Sequence, residues 1–268
     1  MRHAFTLLVA IACSARIAAA DPTVNRVLTA PTAWLPPAGA AIGTAGMDHR
    51  FDADIIVGYG FGGLASVELG TDTDVRGCTD CALRPEPLFL TRAAFRMGAH
   101  QNAWFPGMPA LVLGVRTTVA PITGRDDFPS TRVTDAYAVA SRVLGPVRLH
   151  AGASLIDAGF ANYHMGPKLR PLGGLEWTPG QYPKTSLLAD VAWVALLHAD
   201  QARPEWLVGW GVRYQALPWG SIELAVRHRE DEGLGDSTVL VRVNGVLNPA
   251  ARSGNSPPPA GDPTLQGR

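Results

Sequence analysis

The stretch Trp206-Leu207-Val208-Gly209-Trp210-Gly211-Val212-Arg213-Tyr214-Gln215 constrains the chain most. Its even positions are Trp, Val, Trp, Val and Tyr, and its odd positions after Leu207 are Gly, Gly, Arg and Gln. In a strand, alternate side chains point to opposite faces. One face is therefore large and apolar, the other small or charged. A soluble sandwich would bury the apolar face against a second sheet. A transmembrane barrel would turn it to lipid and keep the polar face in its lumen. One strand does not decide between the two; its repetition does.

Twelve strands are expected, near 40–48, 53–60, 64–71, 88–98, 109–119, 132–142, 147–156, 168–177, 186–197, 205–216, 220–229 and 237–247. Ile55, Val57 and Tyr59 oppose Asp54 and Gly58. Leu111, Leu113 and Val115 oppose Gly114 and Arg116. Leu187, Ala189, Val191 and Trp193 oppose Asp190. Ile222, Leu224 and Val226 oppose Glu223 and Arg227. The first and sixth strands alternate less clearly. The connections also alternate: Phe61-Gly62-Gly63, Leu144-Gly145-Pro146 and Leu217-Pro218-Trp219 are tight, whereas 72–87, 120–131 and 157–167 are long. With both termini in the periplasm, all three tight turns fall inside and all three long loops outside, the asymmetry of outer-membrane barrels. The longish connection 99–108 is the inner-side exception. An even strand count lets an antiparallel sheet close, which leaves no unpaired edge in lipid. Trp104, Trp177 and Trp219 fall near the periplasmic ends, as an interfacial girdle would.

Composition and address agree. Charged residues are 17% and glycines number 29 in 268 residues, against roughly 25% charged in an average soluble domain. The formal net charge is zero, so no nucleic-acid footprint is present. Residues 1–20 read as a secretory signal peptide: Arg2 and His3, a short apolar run from Phe5 to Ala12, and Ala18-Ala19-Ala20 before Asp21. Residues 21–38 form a proline-rich extended segment in the periplasm or the lumen, 39–247 the barrel, and 248–268 a polar tail expected to be disordered. Of the cysteines after the signal, Cys78 and Cys81 suggest a small local disulfide rather than a metal site.

Thr29-Ala30-Pro31-Thr32-Ala33, followed by Pro36-Pro37-Ala38-Gly39 and a glycine-bearing strand, resembles the start of YjbH-like outer-membrane barrels. Trp34 stands where that family carries a basic residue. The resemblance implies an outer-membrane barrel associated with the export or surface organisation of a polysaccharide.

The inward-facing basic set is Arg92, Arg96, Arg116, Arg148, Lys168, Arg170, Arg213, Arg227 and Arg242, against Asp54, Glu68, Glu176, Asp190 and Glu223. An Arg or Lys facing lipid at the midplane costs about 2–4 kcal/mol, so a shared polar face argues for a lumen. Two readings follow: an anion-preferring pore with a positive excess, or a salt-bridge ladder that fills a narrow twelve-stranded lumen, with 21–38 folded inside. His150, Ser154 and Asp190 are the residue types of a hydrolytic triad, but four residues along a strand separate His150 from Ser154 by roughly 13 Å. The loop Glu230-Asp231-Glu232-Gly233-Leu234-Gly235-Asp236 clusters carboxylates without the spacing of an EF-hand and reads as a solvated tip. The expectation is a non-enzymatic protein without cofactor or metal: a narrow channel or scaffold, partnered by outer-membrane lipid, lipopolysaccharide and the barrel-assembly machinery. Its cargo would be polysaccharide or a small anionic solute. The alternative is a soluble periplasmic β-sandwich that binds a ligand.

Overall fold

A computed structural model describes residues 25–50, 52–78, 86–121, 131–160, 163–198 and 201–247. The expected signal peptide, the tail and Cys81 of the expected disulfide lie outside the described residues. The strands in chain order are β1 Ala41–Asp48, β2 Ala53–Phe61, β3 Ala65–Asp72, β4 Arg76–Cys78, β5 Glu86–Pro87, β6 Leu90–Ala99, β7 Ala110–Pro121 and β8 Thr131–Leu144. They continue with β9 Val147–Phe160, β10 Tyr163–His164, β11 Lys168–Trp177, β12 Thr185–His198, β13 Ala202–Leu217, β14 Gly220–Arg229 and β15 Thr238–Leu247. Twelve of them form the wall. Each pairs antiparallel with the next, and β1 pairs with β15 from Ala41↔Leu247 to Asp48↔Leu240, which closes the sheet. The three short strands β4, β5 and β10 belong to the long-loop end and were not expected.

The wall is inside out relative to a soluble protein. Ile55, Val57, Phe95, Leu113, Trp210, Leu224 and Val241 stand exposed on its outer surface, while Asp54, Glu68, Arg96, Asp190, Arg213, Glu223 and Arg242 are buried within it. This is one closed sheet with its apolar face outward, so the sandwich alternative is ruled out. Such an exterior is compatible with hydrocarbon and not with water. Strand β13 behaves as its alternation predicts: Trp210, Val212 and Tyr214 are exposed, and Glu205, Gly209 and Arg213 are buried. The ambiguity at β8 has a physical reason. Its inward Val139 packs on Ala33, Trp34 and Leu35 of the N-terminal segment, so apolar residues occupy a face that elsewhere is polar. At the tight-turn end Tyr59, Phe61, Trp104, Trp177, Tyr182 and Tyr214 are exposed, as an aromatic girdle requires. Trp219 is only partly exposed there.

The long-loop end of β12 departs from its expected face. Trp193, expected to share the lipid-facing side with Val191, is partly buried and packs with Ala195 and Leu197 against Ile156, Ala158 and Phe160. The outer end of β12 leaves the wall and bends over the lumen.

The outward face yields a direct test. Leu224→Arg puts a guanidinium on the exposed side of β14 and is expected to cost about 2–4 kcal/mol of folding free energy in liposomes, read by urea titration. Stability equal to wild type would show that this face does not meet hydrocarbon.

Candidate functional site: the plugged lumen

The lumen is filled by the chain's own N-terminal segment. Residues 25–32 turn back on themselves: Arg26 bridges Pro31, the Val27 N–H donates to the Ala30 carbonyl at 3.0 Å, and the Thr32 N–H donates to the Asn25 carbonyl at 3.0 Å. A tip this tight leaves three successive N–H groups pointing one way, and all three find one acceptor. The Asp190 Oδ2 atom accepts from Leu28, Thr29 and Ala30 at 3.0, 2.6 and 2.7 Å. The carbonyls of the same segment face arginines. Arg213 donates to the Val27 carbonyl at 2.7 Å and Arg242 to the Leu28 carbonyl at 2.8 Å. Arg96 donates to the carbonyls of Thr32 and Trp34 and to Asn25 Oδ1. Val27, Leu28, Ala30 and Thr32 are fully buried.

Inward glycines make room for this seat. A Cβ on Gly174 would lie 2.7 Å from Val27 Cγ2, and one on Gly209 would lie 2.6 Å from Asp190 Oδ1 and 3.0 Å from Leu28 Cδ1. Nearer the tight-turn end, Gly60 exchanges backbone hydrogen bonds with Gly39 and Ala40, and the Gly63 N–H donates to the Pro36 carbonyl. The plug therefore enters from the end where β1 begins.

Around the plug runs a belt of alternating charge. Arg213 on β13 is directly opposite Glu223 on β14, and Glu223 is opposite Arg242 on β15. Arg213 meets Glu223 at 2.6 Å and Glu176 at 2.9 Å. Arg242 meets Glu223 at 3.4 Å and reaches across β1 to Asp54 at 3.3 Å. That reach needs Gly46, whose missing Cβ would stand 2.1 Å from Asp54 Oδ1.

The remaining expected lumen residues fall as follows. Arg96 pairs with Glu68 at 3.3 Å, and Arg92 and Arg116 share Asp135 at 2.5 and 3.0 Å. Arg148 lies 3.8 Å from Glu176, and Arg227 pairs with Asp74. Lys168 is exposed at the outer end of β11, and Arg170 stacks over Trp193 with 5.0 Å from its guanidinium carbon to the ring centroid. The expected positive excess is thus matched by acids missing from the sequence-based set. Asp135 sits on the ambiguous β8, Asp74 in a loop, and Glu205 near the start of β13. A small cavity of about 30 Å³ remains beside the plug, lined by Asn25, Thr29, Glu68, Tyr137, Leu172 and Trp193 among others, room for about two waters.

His150 and Ser154 do not join Asp190. His150 instead meets Ser141, whose Oγ lies 2.7 Å from Nδ1, and its Nε2 is 3.3 Å from Glu176 Oε1. Ser141 Oγ also accepts from the Ala33 N–H at 2.7 Å, and Trp34 packs edge-on to the imidazole. Ser141 Oγ thus sits between the plug N–H and the imidazole. The serine is thereby committed to seating the plug.

A second charged cluster lies at the long-loop end. Arg76 meets Glu205 at 2.6 Å, Asp231 at 2.6 Å and Glu232 at 3.2 Å, and Arg229 meets Glu205 at 2.8 Å. The carboxylate loop expected to be a solvated tip is therefore tied to β4 by one guanidinium. Burial works to raise the Asp231 carboxyl, but the Arg76 guanidinium beside it outweighs burial and holds it below the usual carboxylate range. Among the described residues no group of His, Cys, Asp and Glu has a metal-holding arrangement.

No family model matches this chain, and no curated protein does. Several solved outer-membrane structures are similar at low level. Outer membrane phospholipase A from Escherichia coli is 14% identical over 80% of this chain and 98% of that one, with a TM-score of 0.41. The translocator domain of the autotransporter NalP from Neisseria meningitidis is 11% identical over 78% and 86%, with a TM-score of 0.35. OmpT of Vibrio cholerae is 11% identical over 78% and 97%, with a TM-score of 0.34. These likenesses assign no activity to this chain.

Two outcomes follow from the geometry. Asp190→Ala leaves three buried N–H groups without their acceptor, at about 1–3 kcal/mol each before relaxation. Hydrogen exchange at Leu28, Thr29 and Ala30 is expected to rise sharply; unchanged protection would place the plug elsewhere. For Asp231, a carboxyl depressed in the folded protein contributes stability that is present above its unfolded value of about 3.9. That contribution is lost as pH falls through the lower folded value. Acidification below that point should release loop 230–237 to protease in wild type. Arg76→Ala should leave the loop cleavable already at neutral pH; equal resistance in both proteins would remove Arg76 as the tie.

Proposed function

We propose that this chain is an outer-membrane β-barrel held closed by its own N-terminal segment, a plugged narrow channel or scaffold rather than an open pore. The observation that carries this reading is the Asp190 carboxylate taking three successive plug N–H groups while Arg213 and Arg242 take the flanking carbonyls. Buried charges are costly unless paired and hydrogen-bonded. Here the plug backbone completes the pairing. An empty lumen would leave Asp190 without those donors, so the barrel interior and the plug favour one another.

The reading is of a non-enzymatic protein. Ser141 and His150 are engaged with Ala33 and Trp34, and Glu176 with Arg213. Export to the outer membrane is supported by the apolar exterior, the aromatic girdle and the signal-like N-terminus. The link to surface polysaccharide is supported by the Thr29-to-Ala33 element, and that element is the part seated in the lumen.

Planar-bilayer recording tests the proposal. The wild-type protein is expected to be nearly silent. Deletion of residues 21–38, or Asp190→Ala combined with Arg242→Ala, should give stepwise conductance. Wild-type openings as large as those of the deletion variant would overturn the plugged state.

A further inference from the structure

The wall is not continuous over its full height. Strand β11 pairs with β9 from Lys168 to Trp177, but with β12 only from Gly173 to Trp177. On the other side, β12 pairs with β13 from Thr185 to Leu197. Among the described residues nothing pairs with Lys168–Leu172 on the side away from β9. The parted strands enclose a seam about 17 Å long, at roughly 3.3 Å per residue, running from mid-wall to the outer rim.

The parting is built into the sequence. Pro171 has no N–H to offer a neighbouring strand. Arg170 turns back and donates from Nη1 to the Leu169 carbonyl at 3.2 Å. Across the seam, β12 has left the wall. Ala195 and Leu197 lie on the Val191 side of the strand yet are fully buried against the inner face of β9, and Leu196–His198 take β4 as a parallel neighbour. Arg170, stacked over Trp193, bridges the two lips. Behind them, Leu172 on one lip and Ala192 and Trp193 on the other line the internal cavity.

An unpaired strand edge in hydrocarbon is unfavourable unless polar groups reach it. The chemistry at this edge selects what does. Lys168 is exposed at the rim and Arg170 is half-buried with its Nε atom lacking a hydrogen-bond partner, whereas Leu169 and Leu155 present an apolar ridge on the opposite, outward face of the same strands at 66% and 42% exposure. The carboxylate next along β9, Asp157, is engaged by Arg132 at 3.3 Å and His164 at 2.7 Å. Two cations on the inner side of an open strand edge and an apolar ridge on its outer side fit a phosphate whose acyl chains turn round that edge onto the outer face. We propose that the β11–β12 seam is a lateral binding site for the phosphorylated lipid of the outer leaflet, lipid A. Lys168 and Arg170 hold its phosphate, and its acyl chains lie along Leu155 and Leu169. This rests on the outer-membrane reading above.

The test uses the full chain in detergent, with folding first established by heat-modifiable gel mobility, so that loss of the barrel and loss of the site are told apart. Native mass spectrometry with added lipid A is expected to show one bound lipid per barrel. Lys168→Ala with Arg170→Ala should weaken retention by about tenfold or more, as should removal of the lipid's phosphates. Leu172→Cys with Ala192→Cys places thiols at the next pair the β11–β12 register would form. Oxidation should zip the seam and lower retention, and reduction should restore it. A folded wild-type barrel that retains no lipid A overturns the site. So does retention that is indifferent to the two cations, to the phosphates or to the zipped seam.

Discussion

A wall immersed in lipid must pair its own backbone polar groups, because hydrocarbon offers no hydrogen bonds and each unpaired group costs several kcal/mol. The pairing of β1 with β15 from Ala41↔Leu247 to Asp48↔Leu240 meets that requirement by joining the two ends of the sheet. Most of the remaining architecture follows from it. Closure fixes an inside and an outside, the period-two alternation then assigns each side chain to one of them, and the tight connections gather at the end through which the N-terminal segment enters.

Closure also creates the central difficulty. Seven arginines and nine carboxylates are buried among the described residues, and a buried ion left without its partner destabilises by about 3–5 kcal/mol. The chain resolves this in two layers. Side chains pair across neighbouring strands, as in Arg213, Glu223, Arg242 and Asp54. What pairing leaves over is taken by the backbone of the plug: N–H groups on Asp190 and carbonyls on Arg96, Arg213 and Arg242. A turn of peptide presents donors and acceptors without net charge, so it completes the network without upsetting its balance.

Much of the barrel was legible in the sequence because lipid and lumen impose opposite preferences on alternate residues, as at Ile55 and Asp54 or Leu224 and Glu223. The signal failed where those preferences fail. On β8, Val139 faces an apolar patch of plug, which blurs the alternation that would mark Asp135 as inward-facing. At the outer end of β12, Trp193, Ala195 and Leu197 continue a lipid-facing pattern although the strand has turned inward, since apolar residues suit a protein core as well as a bilayer. The plug itself was legible only as an extended segment that could enter the lumen. Its grip depends on backbone groups, which carry no side-chain signature, and on Gly174 and Gly209, whose significance appears only when Val27 and Leu28 are seen against them. Arg76 was missed for a related reason: it pins the loop at Asp231 and Glu232 from a segment distant in sequence.

The occupied lumen is the claim on which the functional reading stands. A Cβ at Gly174 would lie 3.4 Å from Val27 Cβ, close to the separation of about 3.5–4.5 Å that a disulfide spans. The most direct measurement is therefore disulfide formation between Val27→Cys and Gly174→Cys in outer membranes, with Cys78 and Cys81 replaced by Ser. The plugged barrel predicts near-complete cross-linking in the folded, heat-modifiable band under mild oxidation. A folded barrel whose two thiols stay free and reactive would contradict it.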